Sequence, residues 1–412
     1  MPEVSLNLEP INWPLPNLRN IFADISFIHI SNAVIAFLFA ASAPVAIMLG
    51  VGIKGGLSEG DMASWIFGAF VLNGILGIII SLIYRQPLVF FWTISGTVLV
   101  GPALEHLSYP EVIGAFYGTG ILLLFLGLSG WVKKIMGLLP MPIIMAMVAG
   151  VFLNFGLDWI KAIGQSPWIA IPMTLAFIAL SLNEALSRRL PPMIGVLIVG
   201  LITLVFTDTS IPVNELSFTI TSPNIYVPVF SWAAIFELVV PLAVTVLAAQ
   251  NAQGIAILTA KGHTPPVNTI TAVCGAGSMI TAIFGSVSTC LTGPVNAILS
   301  SGGQRHQQYI AAFIICLLAI LFGLYAPLFT KLMLATPPAF ISTLAGLALL
   351  RILQTSFVVS FSGSFSLGAL LCFLITMADQ PIFNIGAPFW GLVFGLTISW
   401  LLERQAFNTN EP

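Results

Sequence analysis

The sequence predicts an all-α integral membrane protein of fourteen transmembrane segments, arranged as a 7+7 inverted repeat. The third and tenth segments read as short extended stretches feeding half-helices. Three observations carry this prediction: the scarcity of charge, the spacing of the apolar runs, and a weak self-similarity between the halves. Of 412 residues, 7% are Asp, Glu, Lys or Arg and 58% are apolar, with a mean hydropathy of +1.03. Soluble domains carry about 25% charged residues to keep their surfaces hydrated. The composition excludes a disordered chain, a nucleic-acid binder with a basic face and a secreted disulfide scaffold. The net charge of −2 offers no bulk field to a charged partner. Cys274, Cys290, Cys316 and Cys372 lie in apolar stretches without CxxC spacing or a histidine cluster, and read as small buried side chains. Neither a metal nor a cofactor is expected.

A helical crossing needs about 20 apolar residues. Punctuation by polar residues, Pro and Gly gives segments 30–53, 62–84, 88–104, 111–131, 138–157, 167–186, 191–207, 232–259, 266–285, 286–301, 308–332, 337–356, 365–380 and 386–403. Segment 88–104 opens with the aromatic and β-branched run Leu88 to Ile94 before Ser95 and Gly96, and 286–301 opens with Ser286 to Leu291 before Thr292, Gly293 and Pro294. Both patterns suit a short strand followed by a helix start. The first 30 residues contain Pro10, Pro14 and Pro16 and form no signal-peptide core, so direct insertion into an inner or plasma membrane is expected.

Basic residues orient the spans. With both termini cytoplasmic, the inner side holds Arg19, Arg85, Lys133, Lys134, Arg188, Arg189, Lys261, Arg305, Arg351 and Arg404, against Lys54, Lys161 and Lys331 outside. Dropping one span scrambles that bias. The polar stretch 208–229 has Asp208 and Glu215 but no Lys or Arg, as an outer loop should.

The halves align at an offset near 196 residues. Pro142 to Leu153 matches Pro338 to Leu349, Ser95-Gly96 matches Thr292-Gly293, and Gly200-Leu201 matches Gly395-Leu396, in the same order. Seven spans per repeat is odd, so the halves insert with opposite topology. Inverted repeats with paired interrupted helices are the signature of secondary transporters. Non-helical backbone at membrane depth survives only where protein or a cavity satisfies it. Two half-helices starting near the midplane aim unpaired N–H groups and positive dipole ends at one cavity, an anion site without a cationic side chain.

The segment Phe284-Gly285-Ser286, the run TCLTGPVNAI from Thr289 to Ile298 and the run AAQNAQ from Ala248 to Gln253 resemble the benzoate/proton symporter family over essentially the whole chain. The wider fold resembles the uracil-permease type shared by nucleobase and sulfate-type transporters. The resemblance implies a cytoplasmic segment 1–29 and a substrate-carrying core of 30–131 and 232–332. It implies a gate of 132–207 and 333–403, an extracytoplasmic loop 208–231 and a tail 404–412, with a homodimer formed through the gate. It further implies import of benzoate or a close aromatic carboxylate with a proton, by alternating access. Nucleobase relatives carry carboxylates in span eight and at the start of the span-ten half-helix. This chain has Ala249, Gln250, Asn251 and Gln253 at the first place and Pro294 at the second. Carboxylates there would repel an anion strongly in a low-dielectric cavity. Sulfate-type relatives usually append a soluble domain, whereas this chain ends soon after its last span.

The expected substrate-binding residues are Ser95, Gly96, Thr97, Gln250, Asn251, Gln253, Leu291, Thr292, Gly293 and Pro294, with Phe39, Ser42, Phe91, Tyr117 and Asn296 as pocket lining. Glycine admits a ligand to the backbone, and proline in a first turn sacrifices no needed N–H. The amides either donate to a carboxylate or tie the broken helices. Phe90, Phe91 and Trp92 adjoin the first break, and Phe39 and Ser42 share one face of span one. A benzoate-like acid ionises near the Glu value of about 4.3 and arrives as an anion. Glu105, His106, Glu184, Glu237 and Asp379 are candidate proton carriers, all near span ends. The competing readings are a nucleobase or other small-anion permease, a channel, and a membrane-embedded enzyme. The last needs a nucleophile–base set, and His29, His106, His263 and His306 all fall at span ends, so no catalytic residue is expected. Nothing points to nucleic acid.

Overall fold

The computed structural model describes residues 7–409 except 12–14, 18–20, 22–23, 133, 135–139, 183–191, 207–218, 381 and 384–386. Glu184, Lys133, Arg188, Arg189, Asp208 and Glu215 lie outside the described residues. The chain is mostly helical. Its elements are α1 (Phe27–Lys54), α2 (Glu59–Tyr84), β1 (Phe90–Trp92), α3 (Ile94–Ala103), α4 (Tyr109–Ser129), α5 (Met141–Gln165), α6 (Pro167–Leu182) and α7 (Pro192–Phe206). There follow α8 (Trp232–Ala260), α9 (Val267–Ala282), β2 (Thr289–Leu291), α10 (Gly293–Leu299), α11 (Arg305–Leu324), α12 (Pro338–Phe361), α13 (Ser366–Ala378) and α14 (Ala387–Leu402).

Among the described residues, seven helices are long and apolar enough to cross a membrane: α1, α2, α4, α5, α8, α11 and α12. Six more, α3, α6, α7, α9, α13 and α14, are apolar helices of 10–17 residues. Helix starts follow local chemistry. Ser58 and Asp61 form a capping box at α2, as do Ser108 and Glu111 at α4.

Three departures from regularity matter. The first is a break in α1 at Ser42, whose φ of −93° and ψ of −96° precede Pro44 in the next turn; Pro44 has no N–H to continue the ladder. The second is in α8, which contains two π-helical turns, Ile235–Val239 and Thr245–Asn251. The third falls in the expected span 308–332, which divides at Tyr325 into α11 and a short helix, Ala326–Leu334.

α4 lies against α9 and α8, α11 against α1 and α2, and α10 against α1 and α8. Separately, α5 packs on α12 and α13, α13 on α14, and α6 on α7. Small residues allow the closest approach: a Cβ on Gly120 would stand 2.9 Å from the Gly275 carbonyl oxygen. Segment 219–231 crosses one end of the first group. Thr221 N–H donates to Leu324 O at 2.8 Å, Tyr226 N–H to Ile283 O at 2.9 Å, and Val229 N–H to Pro110 O at 2.9 Å.

Candidate functional site

The two interrupted segments meet. β1 and β2 pair antiparallel with Phe90 opposite Leu291, Phe91 opposite Cys290 and Trp92 opposite Thr289. The ladder is extended symmetrically, by Thr93 N–H to Ser288 O at 3.0 Å and by Thr292 N–H to Val89 O at 3.1 Å. The structural equivalents are therefore Thr93 and Thr292, each the residue before its half-helix. The sequence match of Ser95 with Thr292 is out of register by two residues.

A two-stranded ribbon buried in apolar surroundings leaves polar edges that must find partners. Side chains supply them. Asn296 Oδ1 accepts from Val89 N–H at 3.0 Å while its Nδ2 donates to Val89 O at 3.2 Å. Asn251 Oδ1 accepts from Leu291 N–H at 2.8 Å, and its Nδ2 faces Cys274 Sγ at 3.5 Å. Ser278 Oγ accepts from Thr289 N–H at 2.9 Å, Asn73 Oδ1 accepts from Thr289 Oγ1 at 2.8 Å, and Ser81 Oγ accepts from Leu88 N–H at 3.1 Å. Asn251 and Asn296 thus tie the broken segments together.

Beside the ribbon lies a narrow cavity of about 20 Å³, room for about one water, lined by Phe39 and Pro44 of α1, Phe91, Trp92, Thr292 and Pro294. Behind it the rings interlock. Phe70 lies 5.4 Å from Phe91, 5.0 Å from Trp92 and 4.6 Å from Phe322, centroid to centroid. Two polar atoms on this lining are buried without a hydrogen-bond partner, Trp92 Nε1 and Thr292 Oγ1, in residues 3% and 7% exposed. Buried donors without partners are rare and costly. Among the described residues, no carboxylate lines the cavity.

A model of the benzoate membrane transport protein family matches residues 23–401. The chain belongs to that family. It is 28% identical over 378 residues to the benzoate membrane transport protein of Acinetobacter baylyi, covering 90% of this chain and 94% of that one. It is 27% identical to the inner membrane protein YdcO of Escherichia coli, covering 88% of this chain and 92% of that one. The fold is that of the transmembrane domain of a cyanobacterial bicarbonate transporter, BicA (TM-score 0.61, 16% identity, 93% of this chain and 99% of that one). The murine anion transporter Slc26a9 in its inward-facing state shares it (TM-score 0.63, 13% identity, 95% of this chain and 71% of that one). This member of the benzoate transport family is a membrane transporter by lineage, with the fold of anion transporters.

Its expected site residues divide. Thr292, Pro294, Phe39 and Phe91 line the cavity together. Gly293 lies beside them, and a Cβ there would come within 2.7 Å of Gln253 Oε1, so the Gln253 amide covers the start of α10. Gln250 is buried, and its amide has no hydrogen-bond partner among the described residues. Ser95 is buried in the first turn of α3; Gly96 N–H donates to Thr93 Oγ1 at 3.1 Å and Thr97 Oγ1 to Thr93 O at 2.9 Å, so both serve that helix. Leu291 packs against Gly254. Ser42 Oγ donates to Phe39 O at 3.1 Å and faces a second cavity, lined also by Phe37, Leu201 and Phe322. Tyr117 sits half-buried on α4, off the cavity. The sequence reading passed over Trp92 as a donor; the signal was an indole beside a predicted break, where its N–H needs a partner.

Proposed function

We propose that this transporter imports benzoate, or a close aromatic carboxylate, together with a proton. The observation that carries the proposal is the aromatic cavity with two partnerless donors and no carboxylate. Once core and gate part and the narrow cavity widens, a ring packs between Phe39, Phe91 and Trp92 through edge and face contacts. Its carboxylate then meets Trp92 Nε1–H, the Thr292 hydroxyl and the first turn of α10. There Pro294 has no N–H and those of Gly293 and Val295 lack intrahelical partners. Hydrogen bonds to an ionised group are roughly twice as strong as neutral ones, and a dry cavity strengthens them further. The names of the relatives support benzoate, and the fold supports an anion.

On this reading the seven long helices, six shorter ones and α10 are fourteen spans in a 7+7 inverted repeat, consistent with the symmetric pairing of β1 and β2. Spans 1–4 and 8–11 form the core that carries the site, and spans 5–7 and 12–14 form the gate and the homodimer contact. Rocking of core against gate exposes the cavity alternately to each side of an inner membrane, with both termini cytoplasmic. Labelled benzoate uptake into proteoliposomes under an imposed pH gradient, competed by uracil and sulfate, tests it. Saturable uptake that needs an acidic exterior and is blocked by unlabelled benzoate is expected. No saturable uptake, or competition by uracil alone, rejects it.

A further inference from the structure

Four of the acid–base groups near span ends converge between α3, α8 and α13. Glu237 occupies the π-helical turn Ile235–Val239 of α8, is 3% exposed, and places Oε2 2.9 Å from His106 Nε2 on the turn after α3. Such turns recur at functional sites. Glu105, adjacent to His106, lines a cavity of about 90 Å³ with Lys54 of α1, Asn154 of α5 and Asp379, which ends α13 in a left-handed conformation (φ 51°). Asp379 is within electrostatic range of both Glu105 and His106, and Glu111 at the first turn of α4 also feels His106. His106 is thus faced by Glu237, Asp379 and Glu111 from three helices and by Glu105 from its own turn. Lys54, on the same cavity, is held by Asp158 of α5 at 2.5 Å.

We propose that the His106–Glu237 pair is a proton-binding site, and that it carries the proton accompanying the substrate. The proposal rests on the symport reading above. With a neutral imidazole and an ionised carboxyl the pair carries a formal charge of −1 in a largely buried place. A proton taken from water in the adjoining cavity onto the imidazole makes the pair neutral overall, and no other bond changes. The pair belongs to the proposed core and Asp379 to the proposed gate. Movement of one against the other changes the distance from Asp379 to His106. At intermediate dielectric a displacement of several ångströms alters proton affinity by about 10–100-fold. Proton binding is thereby linked to the side that the cavity faces.

Two measurements test this. In proteoliposomes, His106→Gln and Glu237→Gln should lose pH-driven accumulation of benzoate and the proton influx that accompanies it, while benzoate exchange persists. Influx at the wild-type ratio overturns the proposal. The second needs no substrate: nitrogen-15 NMR of histidine-labelled protein, with Asp379→Asn. The His106 titration midpoint should fall to lower pH by about one unit, a tenfold loss of proton affinity. An unmoved midpoint overturns the proposal even if uptake assays fail. A shifted midpoint in Asp379→Asn, with a wild type that takes up no benzoate, instead rejects the substrate reading and upholds the proton site.

Discussion

Thr93 and Thr292 occupy equivalent positions with nearly the same backbone, φ and ψ of −74° and 115° for the first and −83° and 103° for the second. Their hydroxyls do different things. Thr93 Oγ1 caps α3 by accepting from Gly96 N–H, and lies 3.4 Å from Thr245 Oγ1. Thr292 Oγ1 caps nothing and is buried without a partner, like Trp92 Nε1 of the same cavity lining. The ribbon gives the two threonines matching backbones, and on the proposed reading the difference between their hydroxyls marks the substrate site. One helix start is closed on itself, and the other is left open toward an aromatic cavity.

The largest effect should come from breaking the frame that makes the comparison possible. Asn296→Leu orphans Val89 N–H and takes one of two donors from Val89 O, which keeps Thr292 N–H. Each unsatisfied buried group costs about 1–3 kcal/mol. A fall of several degrees in melting temperature in detergent is expected, with Asn251→Leu slightly smaller because it orphans Leu291 N–H without also taking a donor from a backbone carbonyl. An Asn296 variant as stable as wild type would show the ribbon edge to be satisfied some other way.

The next test sets the two threonines against each other. Thr292→Val should weaken benzoate binding about 10–100-fold, since a hydrogen bond to a charged group contributes about 1.5–3 kcal/mol, with the melting temperature unchanged. Thr93→Val should do the reverse: a lost cap costs about 1 kcal/mol of stability, and affinity should hold. Calorimetric titration and thermal melts of both variants decide it, and equal effects on affinity would erase the distinction. Trp92→Phe keeps the ring stack and removes only the indole donor, so its loss of affinity should resemble that of Thr292→Val.

These donors explain how far the sequence could be read. The interruptions were legible because aromatic and β-branched runs ahead of Ser95-Gly96 and Thr292-Gly293 do not suit helices. The value of each amide was not. An Asn in an apolar span announces that it has a partner. Whether that partner is a ligand or, as for Asn296, a backbone 207 residues away depends on packing. The π turns of α8 left no mark in composition either. Trp92 was hidden by abundance, as one of 9 tryptophans and 30 phenylalanines.

A smaller effect concerns the covering of the open helix start. Gly293→Ala places a Cβ 2.7 Å from Gln253 Oε1 and must push that amide aside. Contacting residues couple by about 0.5–3 kcal/mol, so affinity should change several-fold in Gly293→Ala. In a Gln253→Ala background the same substitution should have little further effect. Additive losses would mean that the amide and the helix start act independently.

The smallest effect tests a helix start closed from outside, the opposite of α10. Glu403 Oε1 accepts from Leu367 N–H and Oε2 from Gly368 N–H, both at 3.0 Å, while Ser399 Oγ donates to Oε2 at 2.6 Å. Burial alone would raise its pKa, but these donors, led by Ser399, outweigh burial and hold the carboxyl below the ordinary value of 4.5. A depressed folded-state value stabilises the fold above the unfolded pKa and loses that stabilisation as pH falls through the folded one. Glu403→Gln should therefore melt slightly below wild type at pH 7, by the equivalent of about 1 kcal/mol or less. The gap should narrow as the pH falls below the ordinary value and close once the pH has passed through the depressed folded-state one. A gap that persists after the Glu403 carboxyl has been protonated, followed by its infrared carbonyl band, would mean that shape rather than charge closes α13, and would remove the electrostatic half of the contrast with α10.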